Sequence, residues 1–197
     1  VPNLSHNGKK RIVVIGSGPI RIGQGIEFDY GCVHAVGAIQ DLGLEAIIIN
    51  NNPETVSTDF DTSDRLYFDP LTLECVSEVL LREDAHGILL QFGGQTAINL
   101  ALPLSNNLSH LSTLGLDLIM EGTTPEAVDE ASDRERFESF SQRNDLRMPN
   151  GQTASTPDEV REAVREIGYP VLIRPSYVLG GRGMEILSSN RQLETYM

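Results

Sequence analysis

Cysteine is scarce: Cys32 and Cys75 are the only two in 197 residues, with no C-x-x-C and no second pair. That leaves no disulfide framework and no cysteine-built zinc site, and it suits a reducing, cytoplasmic setting. Cys32 sits in a helical stretch and reads as a small core residue. The four histidines, His6, His34, His86 and His110, are scattered, without H-E-x-x-H or other ligand spacing. No G-x-S-x-G nucleophile elbow is present. No apolar run reaches the roughly 18 residues of a membrane span, and the opening VPNLSHNGKK lacks the apolar core of a signal peptide. Residues 1–8 read instead as a polar linker. Positive charge is also short: 15 Lys and Arg against 28 Asp and Glu give a formal net charge of −13. A chain this acidic repels phosphate backbones at long range, which argues against a nucleic-acid partner. The one basic run, Lys9-Lys10-Arg11, leads into an apolar stretch and reads as a solvated strand start. Internal repeats and low-complexity segments are absent.

What remains is an ordinary globular composition, 40% hydrophobic and 22% charged, long enough for one or two domains. Short apolar runs at 11–15, 46–50, 87–92 and 116–120 are rich in Ile, Val and Leu. Continuous rather than alternating apolarity indicates strands buried on both faces, as in a parallel sheet. Helical stretches near 24–42, 72–84 and 95–108 separate them. The alternation predicts an α/β, doubly wound, mostly parallel sheet with its strand C-termini along one ligand-facing edge. This first domain is expected over 9–122, and a second begins at 123 and runs to 197. There Thr124-Pro125 reads as a helix N-cap followed by proline at the first helical position. Ser132 with Glu135 and Thr156 with Glu159 match capping boxes, the latter helix closing at Gly168. Strands at 171–173 and 184–187 flank a glycine loop, Gly180-Gly181-Arg182-Gly183.

Three loops at strand ends carry candidate chemistry. The first, residues 16–25 (GSGPIRIGQG), could turn sharply and offer amides to an anion, or could serve packing alone. A nicotinamide-binding Rossmann module is the obvious alternative. Against it, Arg21 stands where the third fingerprint glycine belongs, and the second strand ends Asn50-Asn51-Asn52 with no acid for a ribose hydroxyl. With residues 50–58 and 91–96, three strand ends on one edge point to a ligand-facing surface, although turn chemistry explains any one of them. In the second domain, Arg174 interrupts the apolar run 171–173, where a guanidinium must pair with an anion or point into a cleft, since burying it alone is costly. Arginine's rigid donor fork suits phosphate oxygens. Arg134 either does the same or pairs with Glu138 on a helix surface.

The strings GSGPIRIGQGIEFDYGCVHA, NNNPETVSTDFDTSDRLYF, QFGGQTAINLA, ASDRERF and IGYPVLIRPSYVLGGRGMEI resemble the large chain of carbamoyl-phosphate synthetase, in that family's order across about residues 9 to 190. The resemblance implies a Rossmann-like pre-ATP-grasp domain followed by the beginning of an ATP-grasp domain. RIGQGIEFDY, NPETVSTDFD and RPSYVLGGR resemble the second, carbamate-phosphorylating half rather than the first, bicarbonate-phosphorylating one. The implied overall reaction makes carbamoyl phosphate from bicarbonate, glutamine-derived ammonia and two ATP. Carried over motif by motif, Arg134 and Arg174 would contact ATP phosphates, and Gly180 and Gly181 would belong to a loop covering the nucleotide. Glu27 and Glu54 would lie on the carbamate passage between the two active sites; helix capping or polar satisfaction at strand ends explains them equally. The implied cofactors are ATP and Mg²⁺ (or Mn²⁺), with metal ligands, adenine contacts and carbamate-holding residues expected downstream of Met197, so that the chain alone is expected to be inactive. The implied partners are the other half of the large chain and a glutaminase, fused or separate. Two departures stand out: LDLIMEGTTPEAVDEASDRERF is looser than the family's strand into G-T-S-P, and Gly183 replaces a more usual alanine.

Overall fold

The computed structural model describes residues 8–175 and 183–197, apart from the side chains of residues 134 and 135; most of the expected 1–8 linker lies outside this range. In chain order the elements are β1 (Arg11–Ile15), α1 (Glu27–Asp41), β2 (Glu45–Ile49), β3 (Arg65–Tyr67), α2 (Leu73–Glu83), β4 (Gly87–Leu89), α3 (Gly94–Ile98), α4 (Ala101–Thr113), β5 (Ile119–Met120), α5 (Pro125–Ser132), α6 (Arg134–Arg143), α7 (Pro157–Ile167), β6 (Val171–Ile173), β7 (Glu185–Leu187) and α8 (Asn190–Tyr196). The chain divides into two compact units, 1–137 and 138–197.

The first unit is the expected doubly wound sheet. Its five strands run in the order β3-β2-β1-β4-β5, all parallel. Alternate side chains of each strand face opposite ways, so continuous apolar runs need a helical layer on both sides. Val13, Ile15, Ile47, Ile49 and Ile88 pack on one face with Val76, Leu80, Leu104 and Leu111 from α2 and α4. Ile12, Val14, Ala46 and Ile48 pack on the other with Cys32, Val36 and Ile39 of α1. Cys32 is indeed a core residue, its thiol pushed up to about 12 by burial and by the Asp29 carboxylate.

Several boundaries differ from expectation, each for a local reason. The helix expected from residue 95 breaks after α3 and restarts at Ala101, which puts Pro103 in the first turn of α4, where its missing N–H removes no intrahelical bond. Leu116 and Leu118 are apolar because they are buried, and only Ile119–Met120 pair as a strand. β3 went unforeseen because its three residues, RLY, carry no apolar run. Asp133, not Ser132, caps α6: its Oδ1 accepts the N–H of Arg136 at 2.9 Å. Arg11 is not solvated; it is 2% exposed, with Nε donating to Glu45 Oε2 at 3.0 Å. Beside it, Glu83 is fully buried and accepts from Arg65 and from the Tyr67 hydroxyl, closing an ionic cluster at the N-terminal edge of the sheet.

In the second unit, Thr156 and Glu159 form the expected capping box on α7, which ends at Gly168. Antiparallel β6 and β7 pack one face on α7 and α8 through Val164, Val171, Leu187 and Leu193.

Candidate functional site

β1 lies at the centre of the sheet, and the chain leaves it toward β2 on one side and later returns to β4 on the other. Loops after β1 and β4 therefore diverge at the C-terminal edge, the usual place for a ligand crevice. Two glycines let these loops cross. A Cβ on Gly16 would fall 2.4 Å from Asn50 Cγ, and one on Gly93 would fall 2.4 and 2.5 Å from the carbonyl oxygens of Gly16 and Ile15. Neither position admits a side chain.

Asn50 is the hub of this edge and is fully buried. Its Oδ1 accepts the Gly18 N–H at 3.0 Å, while its Nδ2 donates to Ser57 Oγ at 3.0 Å and Thr55 Oγ1 at 3.3 Å. Asp29 on α1, 4% exposed, accepts the N–H groups of Val56 (2.9 Å) and Ser57 (3.2 Å). The 50–58 loop is thus clamped from below by one amide and one carboxylate. Sequence reading missed both residues, because a clamp of this kind shows neither periodicity nor a spacing motif.

The same bonds bear on the dinucleotide reading of the first glycine loop. Gly16 N–H donates to Ile49 O, Gly18 N–H to Asn50, Gln24 N–H to Arg21 O, and Gly25 N–H to Glu27 Oε1 at 3.2 Å. Those four amides are spoken for, and the Glu27 carboxylate already occupies the first turn of α1. A dinucleotide pyrophosphate would need both.

Glu27 and Glu54 both come to this edge, and both are exposed. Glu27 takes a role its bland reading foresaw, accepting from Gly25, and Glu54 donates its backbone N–H to Asn52 Oδ1 at 3.0 Å. Near them, Gln24 Oε1, Asn51 Oδ1, Asn52 Nδ2 and Thr96 Oγ1 are buried without hydrogen-bond partners among the described residues. Buried polar atoms are nearly always paired. Four such atoms lie at this one edge.

The second unit presents a different surface. Along β6, Val171 is buried whereas Leu172 is 54% exposed, and Leu172 pairs in register with Ile186, itself 67% exposed. The sheet therefore shows an uncovered apolar shelf opposite its packed face. Arg174, just beyond β6, is exposed rather than buried, so the desolvation cost argued from sequence does not arise. It has no hydrogen bond or ion pair among the described residues. Arg134 is the first residue of α6, with its side chain outside the described set; Gly180 and Gly181 lie outside the described residues. Gly183 has φ +72°, a conformation that favours glycine over the alanine usual there. Among the described residues no group of three or more His, Cys, Asp or Glu could hold a metal ion. Among them, too, no helix is long and apolar enough to cross a membrane.

Comparison with known proteins gives these features a family. Residues 8–130 match the carbamoyl phosphate synthase preATP-grasp domain, and residues 133–197 match the carbamoyl-phosphate synthase L chain, ATP binding domain. The carbamoyl phosphate synthase large chain of Methanothrix thermoacetophila is 53% identical over 98% of this chain, and that of Methanospirillum hungatei is 52% identical over all of it. In each case the chain spans 18% of the relative's length. Among solved structures, the biotin carboxylase domain of Hydrogenobacter thermophilus 2-oxoglutarate carboxylase, in complex with MgADP and bicarbonate, superposes with TM-score 0.70 at 19% identity, covering 94% of this chain and 39% of that one. The N5-carboxyaminoimidazole ribonucleotide synthetase purK, as its ADP complex, gives TM-score 0.65 at 13% identity, over 94% of this chain and 43% of that one. These two likenesses are of fold. By its match over 8–130 and its close relatives, the chain belongs to the carbamoyl phosphate synthase large-chain family.

Proposed function

We propose that this chain opens the carbamate-phosphorylating half of a carbamoyl phosphate synthase, an ATP-dependent ligase, with a pre-ATP-grasp domain over 9–122 and the start of an ATP-grasp domain from 123. The observation that carries the reading is the pairing of an exposed guanidinium with an apolar shelf. A nucleotide offers a flat, weakly polar base and a polyanionic tail. The Leu172 and Ile186 shelf fits the first, and Arg174, exposed and without a partner among the described residues, fits the second. MgADP in the biotin carboxylase domain is in keeping with this. Arg134 would add a second phosphate contact, and Gly180 and Gly181 a covering loop. Mg²⁺ or Mn²⁺ would arrive with the nucleotide phosphates, its protein ligands supplied by residues beyond this chain; it would neutralise charge on the transferring phosphoryl group.

Assignment to the carbamate half rests on the sequence strings RIGQGIEFDY, NPETVSTDFD and RPSYVLGGR. Glu27 and Glu54 would line the carbamate passage, on the edge where partnerless polar atoms cluster. The partners would be the bicarbonate-phosphorylating half of the same large chain and a glutaminase that feeds ammonia, all in the cytoplasm.

The test uses the full-length large chain. A carbamate-phosphorylating half run backwards makes ATP from carbamoyl phosphate and MgADP, whereas the bicarbonate half shows bicarbonate-dependent ATP hydrolysis. Arg174→Ala should lower ATP synthesis about a hundredfold, the usual loss on removing one preorganised charge contact, and leave bicarbonate-dependent hydrolysis intact. The opposite pattern would move the chain to the bicarbonate half. Unchanged rates in both, or saturable binding of NADH in place of MgATP, would refute the proposal.

A further inference from the structure

The second unit contains a cleft unrelated to the Arg174 surface. It opens between α6, the 144–152 segment and α7, with a volume of about 500 Å³. Local chain geometry makes it. After α6 the backbone reverses through Asp145 at φ +53°, with Leu146 N–H bonding back to Ser141 O at 2.9 Å. This left-handed close to a helix turns the following residues, Leu146 and Met148, back along the cleft wall.

Two observations indicate a ligand. First, Ser141 lines the cleft at 1% exposure and its hydroxyl has no partner among the described residues. A buried hydroxyl left unpaired is costly, and a ligand donor or acceptor would satisfy it. Second, among the described residues the charged groups lining the cleft are both acids, Glu138 and Glu166, with no lysine or arginine beside them. Among the described residues Glu138 accepts from the neutral Gln142 amide at 3.4 Å, and Glu166 from the neutral Gln152 amide. Neither carboxylate has an ion pair among the described residues. Apolar walls from Leu146, Met148 and Ile167 complete the surround.

We propose that this cleft binds a small organic cation, an alkylammonium or alkylguanidinium, with its charge on Glu138 and Glu166, its stem along Leu146, Met148 and Ile167, and a hydrogen bond at Ser141. The volume falls in the range of small-molecule sites. The proposal is independent of nucleotide binding.

Three probes that share a five-carbon stem test it on the 197-residue chain by isothermal titration at pH 7: n-pentylamine, pentan-1-ol and pentanoate. The amine should bind at one site, with the alcohol at least about tenfold weaker and the acid weaker still. Glu138→Gln and Glu166→Gln should each weaken the amine about fivefold, as a partly exposed ion pair does, without moving alcohol affinity. Ser141→Ala should weaken the amine while leaving the charge selectivity. Both glutamates are exposed, so their variants should fold, which circular dichroism checks. Equal affinity for the three probes, no binding, or amine affinity unmoved in the glutamine variants would overturn the proposal.

Discussion

Replacing Asn50 by alanine should loosen the 16–25 and 50–58 loops of the first unit's ligand-facing edge while leaving its sheet intact. The magnitude follows from what the side chain does. It is fully buried and makes three hydrogen bonds, one accepted from Gly18 and two donated to Ser57 and Thr55. Truncation leaves the Gly18 N–H buried and unsatisfied, at about 1–3 kcal/mol. The two hydroxyls fare better: Thr55 Oγ1 and Ser57 Oγ are 3.4 Å apart, and Thr55 also reaches Asn52 O at 3.0 Å. Their combined loss should be nearer 1 kcal/mol than 2. The total, about 3 kcal/mol, is a large part of a domain's stability and corresponds to a drop of about 10 °C in Tm for a chain of this size. Urea unfolding followed by circular dichroism would give the stability change at constant m-value. Amide exchange would locate it: Gly18, Val56 and Ser57 should lose protection while the β1 and β2 amides keep theirs in native-state exchange. A stability loss below about 0.5 kcal/mol, or an equally protected Gly18 amide, would refute the idea that one amide holds the two loops together.

Alkaline pH should weaken the first unit through two groups. The Cys32 thiol is raised to about 12 by burial and the Asp29 carboxylate, and the Tyr67 hydroxyl is raised to about 12 by burial and its hydrogen bond to Glu83. In both cases the folded state holds its proton more tightly than the unfolded one. Their contribution is therefore fully present below about pH 8.5, the ordinary thiol value, and is lost as pH climbs toward 12. Urea midpoints measured from pH 8 to 11 should fall, and Cys32→Ala should flatten part of that slope; a flat profile in the parent chain would contradict the assignment. In the second unit, Thr156→Ala removes an acceptor from the Glu159 N–H and one side of the capping box. It should cost about 1 kcal/mol, read as a lower urea midpoint for the second unit, and Thr156→Ser should restore most of it.

Much of the fold was legible because its signals are local. Ile-rich runs fixed β1 and β2 within a residue, and the T-x-x-E spacing at Thr156 and Glu159 located α7. What escaped depends on partners far along the chain. β3 is held as an edge strand by pairing with Ile47–Ile49 and by Arg65 and Tyr67 meeting Glu83, eighteen and sixteen residues on. Arg11 read as solvated because nothing in its neighbourhood announces Glu45, thirty-four residues away. Arg174 ends an apolar run without being buried, because a two-stranded sheet covered on one side leaves alternate residues in solvent.

The candidate site follows the same division. Glycines at 16 and 93 announce a close crossing, since only glycine fits there, and the motif strings announce the family. The residues that fix the geometry, Asn50 and Asp29, are polar, buried and silent in any window of sequence, because their bonds span up to thirty-two residues. An edge whose loops hang on two such side chains can be held rigidly while still presenting Glu27 and Glu54 outward, with the unpaired Gln24 Oε1 and Asn52 Nδ2 buried just beneath. The orphan atoms belong to the most tightly clamped loops, not to loosely placed ones. Their lack of partners is therefore a property of a fixed surface, and a fixed polar surface is what selective contact with a small acid or a neighbouring domain requires.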